Sequence, residues 1–291
     1  MHWLARLAPL LLLASCASVI SRDASPSVDR VLASYPDQTI AVAYRNLRDG
    51  TTLLRNERET FHAASTMKVP VMLGVFEAIS RGVLQLDQPV RVHNEFTSIV
   101  DGSKYSLDPQ EDSDPSLYDT IGSELPLEEL VRRMIVRSSN LATNIVIEFV
   151  GAPRVMDLMR QIGADDIRVL RGVEDDKAFE AGMNNTTTAL DLMLIFEALA
   201  DRRVVSEEAS EAMLDILLAQ EFNDGIPAGL PSGSRVAHKT GSITRIAHDA
   251  GLIILPDGSQ SVLVVLTRGF DDHAEAERAI AAVTAAIYHP R

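Results

Sequence analysis

The hydrophobic positions predict strands near both ends of the chain and helices between them. Residues 39–44 and 51–54 are apolar runs joined by a short polar segment ending in Gly50, which is typical of an antiparallel hairpin. Further strands are predicted at residues 235–239, 250–255 and 261–267, and an alanine-rich closing helix at residues 274–288.

The middle of the chain, from Ser65 to about Leu218, has helical spacing of its apolar residues. Residues 69–79 are apolar almost all round, which predicts a central helix buried on every side. Pro126, followed by two glutamates, marks another helix start, and Gly151 ends a helix at its preceding residue. Two more amphipathic helices are predicted at residues 190–199 and 207–219.

This order of elements predicts an α+β fold. One antiparallel sheet is built from the N- and C-terminal segments, about residues 31–64 and 220–291, and an all-helical subdomain of about residues 65–219 is inserted into it. We expect a functional site in the cleft between the two lobes. The acidic stretch 96–122 has few apolar residues and predicts a long surface loop, with the hypothesis that it forms a lip over this cleft.

The first 15 residues are typical of an export signal, with Arg6 followed by an apolar run shorter than the ~20 residues of a spanning helix. The run ends in the tetrapeptide LASC, which resembles a bacterial lipobox, so Cys16 is predicted to be lipidated. The alternative is an ordinary signal peptide with an unrelated cysteine. Residues 16–30 predict a lipid-anchored tether, and the folded domain then spans residues 31–291.

Composition narrows the classes of function. The 291 residues are 46% hydrophobic, which excludes a mainly disordered chain, and the net charge of −14 argues against a nucleic-acid-binding protein. A single cysteine leaves no internal disulfide. The sequence has no His-Glu-x-x-His pair, Gly-x-Ser-x-Gly elbow, P-loop or dinucleotide-binding glycine pattern. We therefore expect neither a metal nor an organic cofactor.

Ser65 and Lys68 form the first candidate constellation. They lie three residues apart at the start of the predicted central helix, so they share one face. Serine needs a base to act as a nucleophile, and a lysine in a dry site beside another cation is favoured in its neutral form. Free N–H groups at the helix N-terminus would also stabilise an oxyanion. The alternative is a serine helix cap with a solvent-exposed lysine.

Two further motifs carry candidate chemistry. Ser138 and Asn140, on either side of Ser139, lie between two helical segments, where a hydroxyl would relay a proton and an amide would bind a carbonyl. Ordinary helix caps are the alternative there. The motif beginning at Lys239 follows a short predicted strand, where a lysine, a hydroxyl and a glycine would bind a carboxylate. Its alternative is a hairpin turn.

The three motifs together are far more specific than each one alone. Ser-x-x-Lys and Lys-Thr-Gly each occur once, in the order typical of class A β-lactamases and penicillin-binding proteins, with Ser-Ser-Asn in place of Ser-Asp-Asn. From about residue 30 to its end, the chain therefore resembles the class A β-lactamase-like serine hydrolases. The lobed fold of that family agrees with the predicted order of strands and helices.

The resemblance implies a role for each motif residue. It makes Ser65 the acylated nucleophile, Lys68 its base partner, Ser138 the proton donor to the leaving nitrogen, Asn140 the ligand of a substrate carbonyl, and Lys239 with Thr240 the contact for a substrate carboxylate. Backbone N–H groups of Ser65 and Ser242 would form the oxyanion hole, with Gly241 letting the backbone approach the ligand.

Less specific assignments follow from the same resemblance. Arg245 or Arg235 would add a second contact to the substrate carboxylate. Tyr105 or Tyr118 would wall the cleft, with a surface tyrosine as the alternative for each.

A glutamate on a loop after the second motif is also implied. Glu174 lies at that place and would activate the water that frees the acyl-enzyme, with a salt bridge to Arg171 as the alternative. The family's asparagine four residues later is Ala178 here, so either Asn184 or Asn185 substitutes or deacylation is slow. The serine at position 139 replaces the family's aspartate and weakens the usual support of this loop.

These features predict an exported, lipid-anchored serine hydrolase that opens β-lactam rings, acts on small substrates with a carboxylate, and works as a monomer. A D-alanyl-D-alanine carboxypeptidase or related amide hydrolase is the alternative within the same chemistry. A non-catalytic envelope protein that only binds cell-wall peptide is the alternative from another class. The lysines in both motifs argue against the last, because a binding protein needs no base beside Ser65.

Overall fold

The structure, a computed structural model, describes residues 24–289. Strands and helices follow one another in groups along this part of the chain. The strands are β1 (Thr39–Asn46), β2 (Thr52–Arg55), β3 (Phe61–His62), β4 (Pro89–Arg91), β5 (Phe96–Thr97), β6 (Lys104–Tyr105), β7 (Glu124–Pro126), β8 (Thr186–Thr187), β9 (Arg235–Ile243), β10 (Ile246–Ile254) and β11 (Gln260–Arg268). The α-helices are α1 (Ala24–Ala33), α2 (Lys68–Ser80), α3 (Leu127–Val136), α4 (Asn140–Val150), α5 (Ala152–Ile162), α6 (Asp176–Glu180), α7 (Ala189–Ala200), α8 (Glu207–Leu218) and α9 (His273–Tyr288). Short 3-10 helices lie at Ala64–Met67, Pro115–Thr120 and Ile226–Gly229.

The two ends of the chain meet in one antiparallel sheet, which confirms the predicted α+β fold. Its strand order is β2-β1-β11-β10-β9, so the N-terminal hairpin joins the C-terminal strands through the pairing of β1 with β11. Strand β9 lies at one edge of this sheet and packs beside the 3-10 helix Ala64–Met67. The helical subdomain is therefore joined to the sheet next to an edge strand.

Both faces of the sheet are buried, as the alternation of side chains along β1 illustrates. Val42 and Tyr44 contribute to a core with helices α1 and α9, whereas Ala41 and Ala43 contribute to the larger core formed with the helical subdomain. Because neighbouring side chains of a strand point to opposite faces, a strand buried on both sides is apolar without interruption.

Helix α2 runs through the centre of the larger core, as its all-round apolar pattern predicts. Every residue from Lys68 to Phe76 is buried. Pro70 lies in the first turn, where the backbone N–H has no partner within a helix, so the ring breaks no helical hydrogen bond.

The predicted tether of residues 16–30 is wrong for its second half. Residues 24–30 belong to helix α1, in which Val28 is fully buried and which packs against helix α9. Asp29 also forms an ion pair with Arg55 of β2. The partner of α1 lies at the far end of the sequence, so local composition could not show it. Cys16 and the predicted signal at residues 1–15 lie outside the described residues.

The acidic stretch 96–122 is not simply a surface loop. It contains β5, β6 and a 3-10 helix, and it buries Asp112, Asp114 and Leu117. Asp114 forms an ion pair with Arg133 of α3, with the two charged groups 2.8 Å apart. Composition indicated solvent exposure because it does not show which carboxylates meet a partner inside the fold.

No helix among residues 24–289 is long and apolar enough to cross a membrane.

Replacing Val28 by alanine tests whether α1 belongs to the folded domain. We expect Val28→Ala to lower the free energy of unfolding by about 2 kcal/mol, since it deletes two buried methyl groups. Chemical denaturation measures this change, with Val83→Ala as the control because Val83 is 57% exposed. Equal stability of the two variants would contradict the packing of α1 described above.

Candidate active site

The proposed nucleophile lies where the chain turns into the central helix. Ser65 is half-buried in the 3-10 helix Ala64–Met67, directly before α2. Ala64 has a φ of +45°, a conformation that is strained for a residue with a side chain. The Nδ1 atom of His62 accepts the Ala64 N–H at 3.0 Å, and β3 pairs with β8 beside it. This bracing fixes the backbone that presents Ser65.

Ser65 lines two adjoining cavities. The first, called the β9 cavity, is bounded by Ser65, Ser138, Thr240 and Ser242. The second, called the Glu174 cavity, is bounded by Ser65, Asn140, Glu174 and Ser242. Ser65 therefore shares both cavities with residues of the second and third motifs.

Lys68 is completely buried and its amine contacts the second motif. Nζ donates to the Ser138 backbone oxygen at 2.6 Å, to Asn140 Oδ1 at 2.8 Å and to Ser138 Oγ at 3.2 Å. Burial lowers the pKa of Lys68 to about 7, although the carboxylates of Asp112 and Glu174 act in the opposite direction. A solvent-exposed lysine, the alternative considered for this position, is excluded.

The second buried amine, that of Lys239, reaches the same hydroxyl from the sheet. Its Nζ donates to Ser138 Oγ and to the Thr240 backbone oxygen, both at 2.9 Å. Burial lowers the pKa of Lys239 well below its usual value, and the neighbouring Lys68 lowers it further. Both lysines therefore meet at Ser138 Oγ.

The third motif lies inside a strand rather than after one. Strand β9 continues through Lys239 to Ile243, because Thr240 and Ser242 remain paired with Asp249 and Ala247 of β10. The prediction that this strand ends at Lys239 is wrong, and so is the hairpin-turn alternative.

Gly241 lets β9 approach Ser65. A Cβ atom at this position would lie 3.0 Å from the backbone nitrogens of both Ser65 and Thr66. The absence of a side chain is therefore needed for the strand edge to lie against the start of the 3-10 helix. Ser242, the next residue, lines both cavities together with Ser65.

Within the second motif, capping and site contacts fall on different residues. Ser139 is the N-cap of α4, and its side chain accepts the Ala142 N–H at 3.2 Å. Ser138 has a φ of +57° and meets both lysines, while Asn140 Nδ2 donates to Glu174 Oε1 at 2.6 Å. The helix-cap alternative thus applies to Ser139 and not to its neighbours.

Glu174 lies on the loop between α5 and α7, residues 163–188, called the Glu174 loop below. It has a φ of +59° and is half-buried. Burial raises the pKa of Glu174, while the hydrogen bond from Asn140 lowers it. Arg171 forms no ion pair with Glu174; its guanidinium donates to the Met183 and Gly172 backbone oxygens and to Asn184. The salt-bridge alternative is therefore wrong.

The two asparagines proposed to replace the missing amide at Ala178 serve the loop itself. Asn185 Oδ1 accepts the N–H groups of Leu170 and Arg171, and its Nδ2 donates to the Arg171 oxygen. Asn184 Oδ1 accepts from the Arg171 guanidinium. Both amides brace the Glu174 loop, and neither contacts Glu174 directly.

Neither arginine predicted to bind a carboxylate lines the cavities. Arg245 lies in the turn after β9, where its Nε is 2.9 Å from Asp271 and its side chain is 59% exposed. Arg235 is exposed at the other end of β9. The turn between β9 and β10 directs Arg245 toward the segment after β11, which the spacing of residues could not reveal.

Carboxylates line the β9 cavity, to which an arginine was expected to contribute. They are Glu111, Asp224, Asp249 and Glu277. No arginine is present among the described residues that line this cavity.

The hydroxyl groups of the two predicted wall tyrosines form hydrogen bonds that support loops. The Tyr105 hydroxyl donates to the Val173 oxygen at 3.3 Å, and the Tyr118 hydroxyl donates to Asp112 at 3.0 Å. Neither ring lines the β9 cavity or the Glu174 cavity.

Sequence reasoning missed two residues of the site. His62 accepts the N–H group of Ala64, and no sequence pattern indicates this contact. Asp112 accepts N–H groups at the start of α4, and the only signal near it is a turn-forming Asp-Ser-Asp-Pro run.

Comparison with known proteins identifies the family. The sequence model of a protein family described as "Beta-lactamase enzyme family" matches residues 23–290 of the chain. The chain belongs to the β-lactamase enzyme family. It is a class A-like serine hydrolase of the β-lactamase type.

Individual relatives are distant but cover most of the chain. The extended-spectrum β-lactamase PER-1 of Pseudomonas aeruginosa is 26% identical, over 96% of this chain and 91% of its own length. A β-lactamase structure from Sphaerobacter thermophilus is 28% identical with a TM-score of 0.76, covering 90% of this chain and 94% of that one. The structure of PBP-A has a TM-score of 0.78 at 23% identity, covering 92% and 95%. The last likeness shows the shared fold alone.

Gly241→Ala tests the close approach of β9 to Ser65, the proposed nucleophile. We expect kcat/KM for a chromogenic cephalosporin to fall roughly tenfold or more, because the new methyl group displaces the backbone of Ser65. Steady-state kinetics measures the loss, and thermal unfolding of the same variant checks that the fold persists. Unchanged kcat/KM would contradict the approach.

Arg245→Ala is expected to change kcat/KM less than about fivefold, because an exposed ion pair contributes ~1 kcal/mol at most and this side chain lines neither cavity. Thr240→Val, at a position that lines the β9 cavity, is the comparison and should lower kcat/KM more. An equal loss of kcat/KM in the two variants would show that Arg245 contributes to substrate binding.

Proposed function

We propose that the protein opens β-lactam amides through an acyl-enzyme on Ser65. The observation that carries this proposal is the meeting of two buried lysine amines on Ser138 Oγ, beside the cavity that Ser65 lines. Burying two amines is unfavourable unless at least one of them sheds its proton, so the site holds a neutral amine ready to accept one.

In the acylation step, neutral Lys68 accepts the proton of the Ser65 hydroxyl while Oγ attacks the lactam carbonyl carbon. The carbon–nitrogen bond breaks, and Ser138 gives its proton to the leaving nitrogen. Lys239 and Lys68 both donate to Ser138 Oγ, so either can replace that proton. Backbone N–H groups of Ser65 and Ser242 bind the oxyanion, a contribution of ~3–4 kcal/mol per donor.

In the deacylation step, Glu174 acts as the base for water. Burial raises the pKa of Glu174 and so strengthens it as a proton acceptor. The Asn140 side chain donates to the Glu174 carboxylate and accepts from Lys68, so it links the two groups. Water then attacks the ester carbonyl, and Ser65 leaves with the proton that Glu174 has taken from the water.

Substrate recognition rests on the third motif. Thr240 receives the carboxylate of the substrate and the Asn140 amide faces the substrate carbonyl, since both residues line the β9 cavity. Lys239, which is fully buried, supports this contact through the Thr240 backbone oxygen that its amine binds. We assign no carboxylate contact to Arg245.

The second candidate is a D-alanyl-D-alanine carboxypeptidase, which would share acylation and differ in the rate of hydrolysis. The observation that favours it is the buried Ala178 together with the engagement of Asn184 and Asn185 by loop atoms. Non-catalytic binding of cell-wall peptide is disfavoured, because it gives no reason to bury Lys68.

We also propose that the chain is exported through a signal at residues 1–15, anchored in the cell envelope through Cys16, and active as a monomer. Support for export and anchoring comes from the apolar run and the LASC tetrapeptide alone.

Glu174→Ala separates the hydrolase from the peptidase. Incubated with a penicillin and followed by intact mass, the unmodified protein should show a short-lived adduct, whereas Glu174→Ala should accumulate it, because the base for water is missing. Glu180→Ala, an exposed glutamate of α6 on the same loop, is the matched control and should behave like the parent protein.

Ser65→Ala should form no adduct. A long-lived adduct on the parent protein would favour the carboxypeptidase, and turnover by Glu174→Ala at the parent rate would reject the role of Glu174. An adduct that still forms in Ser65→Ala would show that Ser65 is not the nucleophile.

A further inference from the structure

The start of helix α4 carries two residues of the site but lacks an acidic residue of its own. Ser138 and Asn140 flank the N-cap Ser139. The Ser-Asp-Asn motif that this segment resembles has an aspartate at the middle position. A neutral hydroxyl satisfies one helix N–H group and contributes no charge.

A carboxylate from another segment occupies this helix end. Asp112, in the acidic stretch before α3, is 6% exposed. Its Oδ2 accepts the N–H groups of Asn140 at 3.0 Å and Leu141 at 2.9 Å, and its Oδ1 lies 3.1 Å from the Asn140 nitrogen. Tyr118 donates its hydroxyl to the same carboxylate at 3.0 Å.

These contacts fix a residue that bridges two reacting groups. The Asn140 side chain accepts from Lys68 and donates to Glu174, so a movement of its backbone displaces the amide between them. Ser138, two residues earlier, is held at a φ of +57°, a strained conformation that the surrounding contacts must maintain.

We propose that Asp112 is a positioning residue for this site, supplying from a separate loop the carboxylate that position 139 lacks. It holds the N-terminus of α4, and thereby Ser138 and Asn140, in register with Lys68 and Glu174. The inference rests on the proposed function.

The charge of Asp112 also acts on both groups. It raises the pKa of Lys68 and the pKa of Glu174. Lys68 is otherwise faced by Glu174 and by Lys239 of β9, and Glu174 by Lys68 and by Asp176 of α6. Removing the charge of Asp112 therefore lowers both pKa values, so an activity that requires either group unprotonated persists to lower pH.

The test compares Asp112→Asn with the parent protein in kcat/KM for a β-lactam as a function of pH. We expect kcat/KM to fall roughly 10- to 100-fold, since misplaced reacting groups cost factors of this size, and the acid limb to move to lower pH. Wild-type kcat/KM with an unmoved acid limb would overturn the proposal.

Relocating the carboxylate is the sharper test. The double variant Asp112→Asn, Ser139→Asp places a carboxylate at the N-cap itself and should exceed Asp112→Asn in kcat/KM by about tenfold, as coupled neighbouring positions do. Ser139→Asp alone sets two carboxylates against each other, because Ser139 Oγ is 3.5 Å from Asp112 Oδ2, and should lower kcat/KM. A double variant no better than Asp112→Asn would overturn the proposal.

Asp114→Asn is the matched control. Asp114 is also buried on the same segment but pairs with Arg133 and Arg137, so its loss should lower the melting temperature without moving the acid limb. If the two single variants shift the acid limb alike, Asp112 is merely structural and the proposal fails. Should Asp112→Asn not fold, Asp112→Glu retains the charge but displaces it, and wild-type kcat/KM in that variant would overturn the proposal.

A readout without turnover separates this inference from the proposed function. The side-chain amide signals of Asn140 in nitrogen-15 NMR spectra report its contacts with Lys68 and Glu174. They should shift in Asp112→Asn and not in Asp114→Asn, and no shift would overturn the positioning role. Turnover retained by Ser65→Ala would reject the proposed function instead, and would leave the NMR comparison valid.

Discussion

Two lysine amines share one serine hydroxyl inside the fold, and the rest of the site depends on this crowding. Lys68 and Lys239 are both fully buried and both donate to Ser138 Oγ. Two ammonium groups that contact the same oxygen atom repel each other and lose their hydration, so the arrangement favours a neutral amine near neutral pH. Acyl transfer needs a neutral base to accept the proton of the attacking hydroxyl, the role proposed for Lys68 toward Ser65. The carboxylates of Asp112 and Glu174 limit how far the pKa of Lys68 falls.

The fold brings these groups together from elements far apart in the sequence and holds some of them under strain. Ala64, Ser138 and Glu174 all have positive φ values, each beside or at a group of the site. Such conformations cost about 1–3 kcal/mol each and persist only where the surrounding contacts hold them. Those contacts are visible here: His62 holds Ala64, Asn140 holds Glu174, and the lysines hold Ser138. The edge strand β9 then closes the site, with a glycine at its nearest approach.

Sequence reasoning could predict the parts of this arrangement that repeat locally. The strands at both ends, the buried helix α2 and the residues of the three motifs follow from apolar spacing and short patterns. It could not predict contacts made across the fold. Val28 finds its partner in helix α9, Asp112 binds a helix that begins 28 residues later, and Arg245 turns toward Asp271. Composition predicted a tether for the segment that contains Val28 and a surface loop for the segment that contains Asp112. Both segments are polar on average, and their burial depends on distant partners.

The charge state of Lys68 tests the account most directly, and the small number of lysines makes it measurable. Carbon-13 signals of the lysine side chains, assigned by single substitutions and followed as a function of pH, report the protonation of each amine in the free protein. The account predicts that the Lys68 signal titrates with a midpoint near the pKa of about 7 that its burial gives it. A Lys68 that remains an ammonium ion throughout the range in which the protein is active would contradict it.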